Sequence, residues 1–335
     1  MFGNLEKGNI VDIVEKYSSK NKQQEIGKIE EEKNFQDFGT VTYTEKTRAV
    51  IKVQDGCNNF CSYCIIPYAK GRVRSRKIES VLQEIGEIVK KGIKEVVITG
   101  IHVASYGKDF EDGTQLIDLL EEINKREGLK RIRLGSLEPN LITEEFVERL
   151  GKVDKICDHF HLSLQSGCNE TLKRMNRKYV VEEFEKGVTL LRNKFPNVAL
   201  TTDIIVGFPG ETDEEFNITY NFLEKIKFSK MHIFKYSQRK GTIAAKMKEQ
   251  ISSTVKEQRS NKLIELSNKN EIEFLNKHIG KTLEVLFETK TQSGYIEGHT
   301  TNYITVKTKE NNYLENTIKN ILITKREDLT LIGKQ

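Results

Sequence analysis

The chain has 335 residues, 37% hydrophobic and 31% charged, with 54 Lys and Arg against 49 Asp and Glu and a formal net charge of +5. That length predicts about two domains with enough apolar material for a core; five Cys exclude a disulfide scaffold, and no apolar run approaches the roughly 18 residues of a membrane span. The first twenty residues hold three Lys, three acidic residues and no apolar block, which excludes a secretory signal, so a cytoplasmic chain with reduced thiols is expected.

Residues 1–46 read as a charged lead-in. The run from Ser18 to Asn34, mostly Lys, Gln, Glu and Asn, predicts a solvated linker or loose helix. Over 47–250, short β-branched runs alternate with segments of helical period. Strands are predicted over 49–53, 95–99, 131–135, 159–164, 199–206 and 231–236. Ile78, Val81, Leu82, Ile85, Ile88 and Val89 fall on one helix face between the first two strands, and Gly92 stops that helix. Thr212-x-x-Glu215 is a capping box that starts the helix between the fifth and sixth strands. Six βα units in this order predict an α/β fold, a partial (β/α)6 barrel of parallel strands with right-handed crossovers. Function in such barrels sits in the loops after the strands. Residues 251–279 read as a charged connecting helix, opened by Thr254-x-x-Glu257 and ended by Gly280. Over 280–335 the period changes. Strands over 283–288, 294–299, 303–307 and 321–324 predict a small all-β, OB-like barrel.

Immediately after the first strand stands Asp55-Gly-Cys57-Asn-Asn-Phe-Cys61-Ser-Tyr-Cys64. Three thiolates in eight residues of loop can converge on one soft metal centre. A structural zinc site closes with four ligands, usually in two separated pairs. Three Cys without a fourth nearby fit a four-iron cluster with one iron left open. Zinc, or three unrelated thiols, are the alternatives that spacing leaves.

The string Cys-x3-Cys-x-aromatic-Cys after the first strand of a βα barrel resembles the signature of the radical S-adenosylmethionine (SAM) superfamily. Continued through Ile65-Ile-Pro67-Tyr-Ala-Lys-Gly71-Arg-Val-Arg-Ser75-Arg76, it is similar to the methylthiotransferases. Ser136-Leu-Glu-Pro139, His161-Leu-Ser-Leu-Gln165-Ser-Gly, the run from Thr202 to Thr212 and Tyr236-Ser-x-Arg239-x-Gly241-Thr extend the match. The last barrel, with Gly294-Tyr-x-Glu-Gly-His299-Thr-x-Asn302-Tyr, looks like the TRAM domain of those enzymes. Within the family the chain looks most like the MtaB branch, which modifies N6-threonylcarbamoyladenosine beside the tRNA anticodon.

The resemblance implies one [4Fe-4S] cluster on Cys57, Cys61 and Cys64, with the SAM amine and carboxylate on the open iron. It implies one-electron cleavage of the sulfonium bond to a deoxyadenosyl radical, a tRNA substrate, and an electron donor of the flavodoxin or ferredoxin type. Around SAM it implies Gly100 by its backbone, because Ile101-His102 replace the usual acidic residue. It also implies Glu138 and Gln165 at the mouth, Asp203 and Gly207 toward the adenine, and Arg177 toward the SAM carboxylate. A monomer with no membrane attachment is expected.

Lys70, Arg72, Arg74, Arg76 and Lys77 crowd beside the cysteine loop, where they could steer a polyanion. From Arg239 to Lys281 ten Lys or Arg stand against five Glu. Tyr295, His299, Asn302 and Tyr303 are candidate stacking or hydrogen-bonding groups for RNA. Cys157 and Cys168 are expected to be buried and inert.

Methylthiotransferases usually begin with a further domain carrying three more Cys and a second, sulfur-donating cluster. No Cys precedes Cys57 here. The expectation is therefore a fragment, a truncated product or one piece of a split enzyme, able to cleave SAM but not to insert sulfur unaided. Action on isopentenyladenosine or a ribosomal protein, or an RNA-binding iron–sulfur protein without sulfur insertion, are the competing readings.

Overall fold

The computed structural model describes residues 10–17, 32–39, 47–291, 294–309 and 314–335. The predicted Ser18 to Asn34 linker falls mostly outside these, while α1 (Ile10–Tyr17) precedes it. The first sheet starts with β1 (Arg48–Asp55). The short α2 (Ile66–Lys70) then leads to β2 (Arg74–Ser75), a two-residue strand antiparallel to β1 that the sequence did not predict. After α3 (Ile78–Lys90), β3 (Glu95–Gly100) pairs parallel with the other edge of β1. Beyond α4 (Leu116–Asn124), β4 (Arg131–Leu134) extends the sheet, again parallel. A second sheet of β5 (His159–Gln165), β6 (Ala199–Val206) and β7 (Lys230–Lys235) is parallel throughout. α5 (Glu144–Leu150) precedes β5, α6 (Asn169–Arg174) and α7 (Val181–Lys194) lie between β5 and β6, and α8 (Asp213–Ile226) joins β6 to β7. Parallel bridges Ile132–Ile156 and Leu137–Leu162 connect the two sheets. The six parallel strands thus curl into the expected open half barrel, flanked by β7 on one side and by β1, edged by the short β2, on the other.

Local signals explain the elements. Val81, Leu82, Ile85 and Ile88 of α3 are all buried, as their spacing predicts. Gly92, with φ +83°, ends the following turn. Thr212 Oγ1 accepts from Glu215 N while the Glu215 carboxylate accepts from Thr212 N, so that capping box is real. The second predicted box is displaced. The long helix α9 (Ser253–Asn276) is capped by Ser252, whose Oγ accepts from Val255 N at 3.3 Å, and Thr254 lies inside its first turn. The helix also stops four residues before Gly280.

The C-terminal unit is a closed barrel of five strands, β8 (Thr282–Lys290), β9 (Tyr295–Thr300), β10 (Thr305–Lys309), β11 (Ile318–Glu327) and β12 (Thr330–Lys334), in the order β10-β12-β11-β8-β9. Four strands were predicted. The missed β12 follows β11 across a tight turn at Asp328, φ +49°, which carries no Gly or Pro signal. The strand predicted from Tyr303 starts later because Tyr303 itself is a left-handed turn residue, φ +65°. Val285, Phe287, Ile296, Val306, Ile321, Ile323 and Leu331 fill this barrel.

The small barrel sits against the starts of the half-barrel strands, opposite their loop-bearing ends. Glu95, at the start of β3, is fully buried and pairs with Arg133 at 2.7 Å and Arg131 at 3.7 Å. Both guanidiniums then reach across. Arg131 donates to the carbonyls of His299 and Glu284, and Arg133 to those of Thr300 and Thr301. The Tyr303 ring lies under the Arg133 and Arg48 guanidiniums, at 4.6 and 5.3 Å. Breaking such a buried cluster by removing one partner leaves uncompensated charge. Glu95→Ala should cost about 3–5 kcal/mol in chemical denaturation and expose the 277–281 connection to limited proteolysis. Unchanged stability and cleavage would contradict this docking.

Candidate active site

The cysteine loop leaves β1 through Gly56, whose φ is +72°. A Cβ there would lie 1.8 Å from the Arg72 carbonyl oxygen, so only glycine lets the two backbone segments meet. Cys57 N then donates to Gly71 O at 3.1 Å. The loop is held from the other sheet as well. Ser62 N donates to Met175 O and Ser62 Oγ to Arg174 O, while Asn176 Nδ2 donates to Phe60 O. The segment after β5 therefore presses the three cysteines against the mouth of the half barrel.

Cys61 is buried; Cys57 and Cys64 are half-buried. Burial pushes Cys57 and Cys64 up from the ordinary thiol range, helped by repulsion from Cys61 on both and from Cys64 on Cys57. Such thiols gain from a cation that binds the thiolate form. Among the described residues no three His, Cys, Asp or Glu side chains close on a single metal ion. Each thiolate of a four-iron cluster binds its own iron, and three soft donors on one loop fit that group.

A guanidinium and a carboxylate stand against this loop. Arg177 Nη1 donates to Cys61 Sγ at 3.1 Å, Nε to Tyr179 Oη at 3.0 Å, and Nη2 to Glu138 and to Ser163 O. Four of its five N–H groups are used, so a bidentate grip on a SAM carboxylate is not open in this arrangement. Burial works to raise the Glu138 carboxyl, but the His102 hydrogen bond and the Arg177 charge outweigh it, and it lies below its usual range. His102 Nε2 stands 3.5 Å from Glu138 and 3.1 Å from Asn59 Nδ2 in the cysteine loop. His102 N donates to Gln54 Oε1. His102 was noted in the sequence only as standing where the usual acidic residue is absent, and Tyr179 was not singled out; only its place after Arg177 could have marked it.

The other expected SAM contacts divide. Gly100 ends β3 where a Cβ would come within 2.8 Å of Gln54 Oε1, so it is required for packing. Gln165 ends β5 at φ +69°, half-buried at the mouth. Asp203 lies deeper, facing His161 and His232. Gly207 does not offer a free amide, since its N–H already donates to Glu211 Oε2 at 2.6 Å. The RNA candidates divide further. Arg74 is buried, donating to Arg72 O and Lys70 O beside Asp55. Arg76 is buried between Glu84 and Asp37, which pins the lead-in to α3. Neither is available to a phosphate, because their ion pairs are needed where they lie. Arg72 is exposed over the Phe60 ring, Arg239 is exposed with its charge felt at Cys64, and Lys70 is half-buried. His299, Asn302 and Tyr303 are interface groups. Asn302 Nδ2 donates to Asn197 O, and Tyr303 lies between the rings of His299 and His159. Tyr295 remains half-exposed at the start of β9.

The model of the radical SAM superfamily matches residues 51–223, which holds this loop and five of the six parallel strands. The chain belongs to the radical SAM superfamily. Within that superfamily it is similar to the threonylcarbamoyladenosine tRNA methylthiotransferase MtaB of Bacillus subtilis, at 40% identity over 84% of this chain and 63% of the relative. It is 39% identical to the tRNA-2-methylthio-N(6)-dimethylallyladenosine synthase of Thermoanaerobacter sp., over 91% of this chain and 65% of that protein. The chain spans 45% to 65% of the length of the curated relatives it matches. Among solved structures, the radical SAM methyltransferase TsrM of Kitasatospora setae shares the fold, at TM-score 0.50 and 21% identity over 59% of this chain and 36% of that one. Superfamily membership implies a [4Fe-4S] cluster and SAM. No helix among the described residues is long and apolar enough to cross a membrane.

Gly56→Ala leaves every cysteine in place but forces Arg72 and the loop apart. After anaerobic reconstitution it should lose most of the roughly four irons expected per chain, by iron assay and visible absorption. Full iron content in this variant would contradict the loop geometry.

Proposed function

We propose that this chain supplies the SAM-cleaving and RNA-holding parts of a tRNA methylthiotransferase, acting at C2 of N6-threonylcarbamoyladenosine. The observation that carries the reading is the half-buried three-thiol loop at a mouth shared with Glu138, Arg177 and Gln165, in a chain 40% identical to MtaB of B. subtilis. Residues 47–250 form the radical SAM unit, 251–279 the connection and 280–335 the TRAM-like unit.

Cys57, Cys61 and Cys64 would hold the cluster, which with SAM supplies one-electron cleavage of the sulfonium bond. Arg177 donates to the Cys61 sulfur and is itself fixed by Glu138 and Tyr179. Glu138, held as a carboxylate, suits the methionyl amine, and Gln165 at the mouth suits the polar rim of the same ligand. Arg72, Lys70 and Arg239 border the mouth and suit phosphates. An electron donor of the flavodoxin or ferredoxin type serves the cluster.

The remaining thiols do not make a second cluster. Cys157 and Cys168 are buried, and burial pushes the Cys157 thiol up to about 12. A three-Cys donor cluster needs ligands beyond these residues. In an anaerobic assay with dithionite, SAM and threonylcarbamoylated tRNA, the chain should form deoxyadenosine. A methylthio nucleoside should appear in the digest only when a sulfur-donating three-Cys domain is supplied. No deoxyadenosine, or a methylthio product from these residues alone, would contradict the proposal.

A further inference from the structure

The placement of Arg177 begins at the end of α6. Asn176 takes a left-handed conformation, φ +57°, which Asn tolerates better than most residues. Asn176 N donates to Lys173 O at 3.0 Å and Arg177 N to Leu172 O at 2.9 Å, the paired bonds that close a helix C-terminus. The same turn sends the Asn176 amide to Phe60 O in the cysteine loop, at 2.8 Å. It leaves the Arg177 guanidinium between the Cys61 sulfur and the Glu138 carboxylate, with Nη1 on the sulfur and Nη2 on the carboxylate. Tyr179 fixes the remaining edge. Its hydroxyl accepts from Arg177 Nε and lies 2.5 Å from Ser163 O and 2.7 Å from Leu164 O.

This ion pair is buried. The Arg177 side chain is 5% exposed and that of Glu138 9%, so water and salt screen neither charge well. The Arg177 charge reaches Cys64 as well as the sulfur it touches, and the Glu138 charge reaches Cys57. Arg239 also bears on Cys64, but it is exposed and its charge is screened. Hydrogen bonds to the ligand sulfurs and the net charge nearby are two levers by which a protein sets the potential of an iron–sulfur cluster. A cluster on three thiolates is net negative, and one electron makes it more so. A buried guanidinium on a ligand sulfur favours the reduced form. The carboxylate behind it opposes that form.

We propose that Arg177 raises the reduction potential of a cluster on Cys57, Cys61 and Cys64 while Glu138 lowers it, so that this ion pair sets how readily the cluster accepts its electron. The inference rests on the cluster reading of the three thiols and adds the residues that tune it. The electron comes from the one-electron donor named above, and no bond forms or breaks in this step. Arg177 acts here through the Cys61 sulfur, as a positioning residue. The sign of its effect separates this role from simple support of the loop. A loosened loop admits water, which stabilises the more highly charged form and raises the potential. Loss of the guanidinium charge lowers it.

The test is an anaerobic redox titration of the full, cluster-reconstituted chain without SAM, followed by electron paramagnetic resonance. In Arg177→Gln the reduced-to-oxidised ratio at the native midpoint should fall about tenfold, a midpoint about 59 mV lower. Arg177→Lys keeps the charge without the planar fork and should fall by less. Glu138→Gln should move the midpoint upward. If Arg177→Gln retains no iron, the double Arg177→Gln, Glu138→Gln variant, which leaves no charge of this pair uncompensated, is compared with Glu138→Gln alone. The double variant should again lie about 59 mV lower. An unchanged or higher midpoint on losing the guanidinium, or a lower one in Glu138→Gln, overturns the proposal. Absence of a four-iron signal from the native chain overturns the cluster reading itself, and the tuning with it.

Discussion

A carboxylate with no exposure at all, Glu95, organises this molecule. An unpaired buried charge is not tolerated in a protein interior. Arg131 and Arg133 neutralise it, and their remaining N–H groups need acceptors that the half barrel does not provide. The second barrel supplies them as backbone carbonyls of residues 284 and 299–301. The floor of the half barrel is thus completed by another domain. The loops at the opposite ends of the strands are released for chemistry, as parallel βα architecture favours.

That arrangement changes the part played by the small barrel. Deleting it would strip Arg131 and Arg133 of their partners, so it is not a detachable RNA clip. Its His299 and Tyr303 face the lumen and the arginines, and its outer strands are what it has left to offer a polynucleotide. The mouth depends on a comparable economy of donors. Arg177 touches a cysteine sulfur, a carboxylate, a phenol and a carbonyl at once, so the position of the cysteine loop is coupled to β5 and to the segment after β4. Rigid positioning of this kind is what a protein contributes when a cofactor carries the difficult chemistry.

Much of this was legible in the sequence. Most of the six strands follow β-branched runs, α3 follows its apolar spacing, and Thr212 and Glu215 fix one helix start. The cysteine loop announced itself by spacing. What was not legible depended on partners distant in sequence. Arg74 and Arg76 read as a steering patch because Asp55 and Asp37 are brought to them only by folding. The docking contacts of His299, Asn302 and Tyr303 were not legible because nothing local says that their barrel packs on a neighbour. The Gly207 amide was taken by Glu211, a contact no periodicity reveals. β12 was missed because its turn is made by Asp328 in a left-handed conformation, without the glycine that usually marks one.

The proposed function requires a four-iron cluster on three thiolates with one iron open to SAM. Electron paramagnetic resonance of the reconstituted, dithionite-reduced chain tests it most directly, recorded before and after SAM is added. The expected result is the signal of a single reduced [4Fe-4S] centre that changes shape when SAM binds and is abolished in the triple Cys57, Cys61 and Cys64 alanine variant. A two-iron signal, or a four-iron signal that SAM leaves unaltered, would contradict it.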